Sequence, residues 1–172
     1  MLGDGKGSYF PERDVTRAEF AAFVARALNL PDVTEMNEFP DVPQNHSLRD
    51  EIYQAAAANI VAGYPDGTFQ PNKQIPREEM AVMIDRALKN QGIENKTASL
   101  NFIDSSAIHS DYRDEVANVV AQGIIIGDKE NQFRPKENTI RADAAIVIYR
   151  LLSLVDPDAI NEAPNYEYNV AK

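Results

Sequence analysis

Apolar residues recur along three segments of the chain with the spacing of amphipathic helices. In each segment they fall at positions i, i+3, i+4, i+7 and i+8, which places them on one face of a helix. The three sets are Phe20, Phe23, Val24, Ala27 and Leu28; Met80, Met83, Ile84, Ala87 and Leu88; and Ala144, Val147, Ile148, Leu151 and Leu152. The pattern therefore predicts three helices, each with one buried face.

These segments belong to a unit that the chain repeats. Residues 63–79 match residues 3–19 at an offset of 60 positions and residues 127–143 at an offset of 64. Each copy joins a turn rich in Gly and Pro to one of the predicted helices. Every copy has an arginine where the helix is expected to begin: Arg17, Arg77 and Arg141. We call them copies 1, 2 and 3 in chain order.

A leading helix is predicted ahead of the turn in copies 2 and 3. It opens on Arg-Asp-Glu-Ile at position 49, from where it is expected to run to about Ala62, and on Arg-Asp-Glu-Val at position 113. The first copy starts within its turn, so we expect its leading helix to be missing from this chain. Because a two-helix unit cannot bury its apolar face alone, the copies are expected to pack into one all-α domain.

The predicted domain covers residues 1–155. It contains a partial repeat at 1–30 and full repeats at 38–92 and 101–155, and residues 156–172 are interpreted as a tail or linker, because the pattern is lost from Asp156 onward.

Composition excludes several classes of function. The 172 residues carry a net charge of −10, which disfavours nucleic acid and anionic membranes as partners. The absence of Cys removes disulfides and thiolate chemistry. No apolar run is long enough for membrane insertion, and we expect a signal peptide to be absent from this chain.

The sequence offers no basis for catalysis, a metal site or a cofactor. His46 and His109 occupy matching positions ahead of the leading helices, where a loop or capping role is favoured over metal binding. The acid pair Glu78-Glu79 is expected on a solvated helix start. No nucleophile, base and acid can be grouped from the sequence, so the chain is interpreted as a protein without enzymatic activity.

The repeated arginine is the strongest candidate for a binding residue. Thr16 and Glu19 form a capping box that places Arg17 at the first helical position, where a cation costs about 0.3 to 1 kcal/mol against the helix dipole. A guanidinium beside free backbone N–H groups suits a carboxylate or phosphate. The alternative is an intramolecular salt bridge with one of five acids: Asp41, Asp104, Glu19, Glu79 or Asp143.

The turn of copy 2 has the chemistry of a tight turn. Pro65 presets φ, Asp66 is expected to bond its own backbone, and Gly67 supplies a positive φ. Asn131 holds the position of Gly67 in copy 3, and Asn also tolerates the left-handed region. These residues alone do not distinguish a purely structural turn from one that also binds a ligand.

Three motifs taken together resemble the S-layer homology repeat of bacterial cell-surface proteins. They are Phe39-Pro-Asp-Val, Gly63-Tyr-Pro-Asp-Gly-Thr-Phe-Gln-Pro and Thr16-Arg-Ala-Glu, and the resemblance covers about residues 3 to 154. It implies an all-α, three-pronged spindle with a central helical bundle. It also implies a secreted protein of the bacterial cell surface, in which this module anchors another, fused domain to the cell wall.

The resemblance further implies a ligand, a secondary cell-wall polysaccharide with ketal-linked pyruvate, held in grooves between neighbouring repeats. Carried over by position, the residues that meet the pyruvate carboxylate are Arg17, Arg77 and Arg141. Those that meet the sugar are Asp66 and Gly67, with Lys6 and Gly7 in copy 1. The alternative function is a helical-repeat module that binds a peptide or another surface-protein subunit, which should show exposed apolar anchors.

Overall fold

The computed structural model describes residues 9–34 and 38–158. It contains five α-helices, namely α1 (Arg17–Ala27), α2 (Arg49–Ala57), α3 (Arg77–Asn90), α4 (Arg113–Ala121) and α5 (Arg141–Val155). Two short 3-10 helices, Ser105–Ala107 and Ser110–Tyr112, precede α4. Extended segments in these ranges form isolated bridges but no sheet. The predicted all-α class is confirmed.

The helices α1, α3 and α5 each begin at the repeated arginine, as predicted. The capping box at α1 is present: Glu19 N–H donates to the Thr16 hydroxyl oxygen at 3.2 Å, and Thr16 N–H donates to the Glu19 carboxylate at 2.9 Å. Pro76 and Ile140 precede α3 and α5 and provide no side-chain cap. The starts of these two helices therefore need other acceptors.

Those acceptors are carbonyl groups of a neighbouring copy. Three equivalent bonds of 2.9 to 3.0 Å run from an arginine N–H to a carbonyl oxygen: Arg17 to Lys73, Arg77 to Glu137 and Arg141 to Arg13. The next N–H group does the same toward a proline: Ala18 to Pro71, Glu78 to Pro135 and Ala142 to Pro11. The expectation of free N–H groups at the helix starts is thus wrong, because these groups join the copies instead.

The contacts between copies close into a ring. Three residues with no exposed surface form a cycle of backbone hydrogen bonds, in which Val15 donates to Thr139, Thr139 to Ile75 and Ile75 back to Val15, at 2.9 to 3.0 Å. Around this cycle α1, α3 and α5 contact one another pairwise, and one hydrophobic core includes residues of all three copies. No copy folds around a core of its own.

The leading helices lie outside this ring. α2 packs against α1 and α4 packs against α3, so each leading helix covers the arginine helix of the preceding copy. None of the helices in the described ranges is long and apolar enough to cross a bilayer.

The leading helix of copy 2 is shorter than predicted. α2 ends at Ala57, not near Ala62, because Asn59 takes a left-handed conformation with φ of 57°. Gly123 has the same role after α4, with φ of 73°. A left-handed residue just past the helix end lets the following N–H groups bond back to the last carbonyls, and this ends the helix.

Candidate functional site

Arg17 inserts its side chain into the turn of copy 2. Its Nε donates to the Phe69 carbonyl oxygen at 3.0 Å and its guanidinium lies 4.5 Å from the centre of the Tyr64 ring. One terminal nitrogen bonds the Glu79 carboxylate at 2.6 Å and the other the Ala62 carbonyl oxygen at 3.3 Å. The Arg17 side chain is only 6% exposed, so this ion pair is buried.

Glu79 receives two further hydrogen bonds, from the Tyr64 hydroxyl at 2.7 Å and the Lys73 ammonium at 2.8 Å. Burial by itself would raise the pKa of Glu79. The hydrogen bonds from Lys73 and Tyr64, together with the charge of Arg17, outweigh burial and lower this pKa. The carboxylate is therefore ionised at neutral pH and links copies 1 and 2.

This lowered pKa predicts an acid-sensitive domain. Since the pKa of Glu79 is lower in the folded than in the unfolded chain, its contribution to the free energy of unfolding is fully present above about pH 4.3 and is lost as pH falls through the folded value. Urea unfolding between pH 3 and 7 measures it. Glu79→Gln should show a shallower loss at acid pH than the parent, whereas exposed Glu130→Gln should keep the parent slope. Equal slopes for all three chains would contradict this assignment.

Arg77 repeats the arrangement one copy later. Its Nε donates to the Phe133 carbonyl oxygen at 2.9 Å, and its terminal nitrogens reach the Asp143 carboxylate at 3.2 Å and the Ile126 carbonyl oxygen at 3.5 Å. The Asp143 side chain is 39% exposed, against 12% for Glu79. This ion pair is longer and more exposed to solvent than that of Arg17.

Arg141 closes the cycle on copy 1. Its Nε donates to the Tyr9 carbonyl oxygen at 2.9 Å, its guanidinium lies 4.7 Å from the centre of the Tyr9 ring, and the Tyr9 hydroxyl donates to the Arg141 carbonyl oxygen at 3.1 Å. The predicted site residues Lys6 and Gly7 lie outside the described residues. The three arginines thus occupy three separate boundaries between copies, one at each.

The salt-bridge alternative raised by the sequence is realised for two arginines. Glu79 pairs with Arg17 and Asp143 with Arg77, in each case across a boundary between copies. Asp41 and Asp104 do not pair with these arginines. Each accepts two successive backbone N–H groups at 2.8 and 2.7 Å, from Phe69 and Gln70 and from Phe133 and Arg134 respectively.

The predicted chemistry of the Asp66-Gly67 turn is confirmed. The Asp66 carboxylate accepts the Thr68 N–H at 2.9 Å and the Thr68 hydroxyl at 2.7 Å, which lowers the pKa of Asp66, and Gly67 has φ of 82°. Asn131 takes φ of 58° at the matching position. Asp66 and Gly67 lie on the outer side of the turn and do not line the depression around Arg17.

The acid pair at the start of α3 is not solvated, contrary to expectation. Glu78 is 4% exposed and accepts hydrogen bonds from the His109 N–H at 3.0 Å and the Lys136 ammonium at 2.5 Å. Copy 3 covers Glu78 from two directions, whereas Glu79 lies at the boundary with copy 1, where its side chain is 12% exposed. Neighbouring charges from another copy could not be located from the sequence.

The depression around Arg17, which we call the Arg17 pocket, has a volume of about 120 Å³. It contains a cation that the sequence analysis missed, Arg86 on α3, and is also lined by Tyr64, Glu79 and Tyr112. Arg86 makes no hydrogen bond or ion pair with any residue in the described ranges. Within the described part of the chain, this pocket therefore holds a positive charge that no other residue pairs with.

The spacing of the arginines in the sequence could have identified Arg86 as a candidate. Arg26, Arg86 and Arg150 each follow the first arginine of their helix by nine residues. Arg26 bonds the Glu51 carboxylate at 2.5 Å and Arg150 the Ile124 carbonyl oxygen at 3.0 Å. Arg86 differs from its two counterparts in having no such partner within the part of the chain described.

A second depression, the Arg77 pocket, is built from matching positions of copies 2 and 3. Its volume is about 480 Å³. Nine of its lining residues match a residue of the Arg17 pocket at the repeat offset: Arg77, Ile125, Ile126, Gly127, Asp128, Asp143, Ile146, Val147 and Arg150. The fold therefore forms the same kind of arginine-lined pocket at two successive boundaries.

The histidines have local structural roles, as predicted. His46 Nδ1 accepts the Leu48 N–H at 3.2 Å, and His109 Nδ1 accepts the Asp111 N–H at 3.3 Å. Among residues 9–34 and 38–158, no three His, Asp or Glu side chains are grouped so as to hold a metal ion.

A ring of three helical repeats with an arginine-lined pocket at two successive boundaries defines a helical-repeat module. Residues 38–81 and 101–145, just over half of the chain, match the model of the S-layer homology domain. The chain belongs to this family, and the resemblance drawn from its motifs is confirmed. Membership associates the chain with anchoring at the cell surface.

The relatives carry this domain as a small part of larger proteins. The chain is 40% identical over 147 residues to an amylopullulanase of Thermoanaerobacterium thermosulfurigenes, where the match covers 84% of the chain and 8% of the relative. It is 32% identical to a cellulosome-anchoring protein of Acetivibrio thermocellus, over 88% of the chain and 35% of the relative. It is also 32% identical to an S-layer protein of Bacillus thuringiensis subsp. finitimus, over 84% and 18% respectively.

Proposed function

We propose that the chain is a non-catalytic module that anchors a larger, secreted bacterial protein to the cell wall by binding pyruvylated secondary cell-wall polysaccharide. Family membership and relatives named as an S-layer protein and a cellulosome-anchoring protein support the anchoring role. In this proposal α1, α3 and α5 are the central bundle of a three-pronged spindle, and the pockets between copies are the ligand sites.

The observation that carries the proposal is the unpaired charge in the Arg17 pocket. A pyruvate ketal adds one carboxylate to a neutral sugar, so its receptor needs a local cation and not a basic surface. Arg86 offers a planar guanidinium that has no partner among residues 9–34 and 38–158, and it lines the pocket together with Tyr64 and Tyr112. A mostly apolar lining with a few directed polar groups is typical of small-ligand sites.

The proposed roles of the two arginines in this pocket differ. The Arg17 guanidinium already donates hydrogen bonds to Glu79 and to two carbonyl oxygens. Only its edge can therefore contact the ligand carboxylate, and its main role is to fix the shape of the pocket. Arg86 supplies the new charge-assisted contact. Arg77 and Arg141, which hold the repeat position of Arg17, are proposed to have the role of Arg17 at the other two boundaries.

The turn is proposed to contact the sugar. Asp66 and Gly67 lie on its exposed outer side next to Tyr64 and Pro65, which line the pocket. A saccharide unit linked to the pyruvylated one would extend in this direction. Lys6 and Gly7 are proposed for the same role in copy 1 by their position in the repeat.

Calorimetric titration with the pyruvylated polysaccharide, and with the same polymer stripped of its pyruvate, tests the proposal. Only the pyruvylated polymer should bind. Arg86→Gln should weaken binding by about tenfold to a hundredfold, since a hydrogen bond to a charged group contributes about 1.5 to 3 kcal/mol. Its thermal unfolding should match that of the parent, because the substitution breaks no hydrogen bond or ion pair among the described residues.

Lys96→Gln is the matched control, because it removes one positive charge from an exposed residue outside both pockets. It should bind like the parent. If both substitutions weakened binding equally, the effect of Arg86→Gln would come from the change in net charge and not from a contact in the pocket. Equal binding of both polymers would reject pyruvate as the recognised group, and binding of neither by the folded chain would reject the glycan as ligand.

A further inference from the structure

The Arg17 pocket has one wall that comes from neither of the copies whose boundary it marks. Arg17 belongs to copy 1 and Tyr64 to copy 2, but Tyr112 belongs to copy 3, where it ends the 3-10 helix that precedes α4. Among the described residues its hydroxyl has no hydrogen-bond partner, so it is open to a ligand. Burial and the negative charges of Glu79 and Glu78 raise the pKa of Tyr112, in keeping with its position beside these two acids. The pocket is therefore built from all three copies.

A short 3-10 helix carries Tyr112 to this wall. The helix Ser110–Tyr112 packs against α3, and it begins after His109, whose Nδ1 accepts the Asp111 N–H at 3.3 Å. The Tyr112 N–H donates to the His109 carbonyl oxygen at 3.0 Å, and the centres of the two rings are 4.9 Å apart. The placement of Tyr112 therefore depends on the placement of His109.

Glu78 of copy 2 holds His109 in place. Its carboxylate accepts the His109 N–H at 3.0 Å and the Lys136 ammonium at 2.5 Å, and its side chain is 6% exposed. In copy 2 the corresponding N–H group, that of His46, donates at 2.9 Å to the Pro43 carbonyl oxygen of its own copy. The segment ahead of the leading helix is thus tied to the preceding copy by this group in copy 3 and not in copy 2.

Both Glu78 and Tyr112 depart from the pattern of the repeat. Copies 1 and 3 have Ala18 and Ala142 at the position of Glu78. Copy 2 has Leu48 at the position of Tyr112. A buried carboxylate is costly unless hydrogen bonds compensate for it, so an acid at a position that alanine fills elsewhere needs a specific partner. The bond that Glu78 makes to the segment holding Tyr112 provides one.

We propose that Glu78 is a positioning residue of the Arg17 pocket. By accepting the His109 N–H, it fixes Tyr112 of copy 3 as a wall of a site whose charged groups come from copies 1 and 2. Ligand binding at the boundary between copies 1 and 2 thus depends on the contact between copies 2 and 3, although Glu78 does not itself line the pocket. The identity of the ligand rests on the proposed function, whereas the placement of Tyr112 does not.

Glu78→Ala tests the proposal in the full chain, because alanine is the residue that the other two copies have at this position. It should weaken binding of the pyruvylated polysaccharide by about two- to tenfold, the range for one lost neutral hydrogen bond. Loss of a negative charge near the pocket would by itself favour an anionic ligand, so charge cannot cause this weakening. Glu78→Gln keeps an acceptor for the His109 N–H and should bind within about twofold of the parent.

Tyr112→Ala determines whether Glu78 acts through Tyr112. Alone, it should weaken binding at least as much as Glu78→Ala, and adding Glu78→Ala to it should weaken binding no further. Asp85→Ala is the matched control. It removes another buried acid of α3, one whose carboxylate accepts a hydrogen bond from Asn118 of copy 3 at 2.6 Å, but about two helical turns from Glu78. This variant should not weaken binding.

Fluorine NMR measures the placement of Tyr112 without a ligand. Fluorotyrosine labels all seven tyrosines of the chain, and Tyr112→Phe identifies the signal of Tyr112. The difference in its chemical shift between ordinary and heavy water reports the exposure of the ring to solvent. This difference should increase in Glu78→Ala and stay near the parent value in Glu78→Gln and Asp85→Ala. The signal of Tyr53, which is buried on α2, should be unchanged in all three variants.

If Glu78→Ala does not fold, two variants of His109 replace it. His109 has φ of −55°, which proline accepts, and Ile108 has ψ of 131°, as required ahead of a proline. His109→Pro and His109→Ala both remove the imidazole ring, but only His109→Pro also removes the N–H that donates to Glu78. The Tyr112 ring should therefore be more exposed in His109→Pro than in His109→Ala.

Two results would overturn the proposal. One is a Tyr112 ring that is no more exposed in Glu78→Ala than in the parent, or no more exposed in His109→Pro than in His109→Ala. The other is equal weakening of binding by Glu78→Ala with and without Tyr112, since Glu78 would then act by another route. A folded parent that binds no polysaccharide would instead reject the proposed function, and the fluorine measurement would still decide whether Glu78 positions Tyr112.

Discussion

Replacing Arg17 with Met is expected to lower the free energy of unfolding by about 3 kcal/mol, or roughly 6 to 12 °C in melting temperature. The substitution leaves the buried Glu79 carboxylate with Lys73 and Tyr64 but without its 2.6 Å partner, and leaves the Phe69 and Ala62 carbonyl oxygens without a donor. Urea unfolding at pH 7 measures the loss. Breaking a buried ion pair costs about 3 to 5 kcal/mol, and Lys73 places this case at the lower end.

Two matched variants separate the buried pair from a general loss of charge. Arg77→Met breaks the same set of contacts at a boundary where Asp143 is 39% exposed, so its cost should be clearly smaller. Lys73→Met removes a partner of Glu79 that is itself 39% exposed, and should cost no more than about 1 kcal/mol. An equal loss in all three variants would show that burial does not determine the strength of these contacts.

Replacing Phe69 with Ala is expected to cost about 3 to 5 kcal/mol. Phe69 has no exposed surface, and its ring lies 5.3 Å from that of Phe39 and 5.1 Å from the Arg17 guanidinium. Its carbonyl oxygen accepts the Arg17 Nε–H, so a cavity here also loosens the turn that holds the arginine. Thermal and urea unfolding should both report the loss, and polysaccharide binding should weaken in parallel.

Phe10→Gln is the matched control. Phe10 is 54% exposed with φ of 52°, and Gln70 occupies the same repeat position in copy 2 with φ of 58°. The change should therefore stay within about 0.5 kcal/mol of the parent. A Phe69→Ala chain as stable as Phe10→Gln would mean that the turn of copy 2 does not depend on its aromatic anchor.

Two exposed apolar residues on α5 bear on the alternative function. A protein-binding module was expected to show exposed apolar anchors, and Ile146 and Tyr149 are such anchors. The pockets between copies remain the proposed glycan sites.

Local signals predicted the arginine helices well. Thr16, Pro76 and Ile140 differ in chemistry, yet α1, α3 and α5 all begin at the residue that follows. The apolar spacing and the repeat offset specified these starts because both depend on residues a few positions apart. The end of α2 was missed, since the left-handed Asn59 that stops it did not outweigh the run of alanines in the pattern.

The partners of the charged residues were not predictable in the same way. The sequence named five acids as candidate partners of the arginines, and the structure pairs Glu79 with Arg17 and Asp143 with Arg77. It also buries Glu78 under copy 3 and leaves Arg86, in the Arg17 pocket, without a partner among the residues that the structure describes. Each of these outcomes depends on which copy faces which, and that arrangement is set by contacts across some 60 residues of chain.

By itself, the sequence determined the repeat, the class of fold, the chemistry of the turn and the family, because these reside in spacing and residue type within short segments. Only the tertiary structure decided that the helix-start N–H groups join neighbouring copies, that Arg17 and Arg77 pair across the boundaries, and that Ile146 and Tyr149 of α5 are exposed. The physical reason is that hydrogen-bond partners and burial depend on the ring of three copies. The residues of a segment determine its own conformation, whereas the packing of the three copies determines which residues become its neighbours.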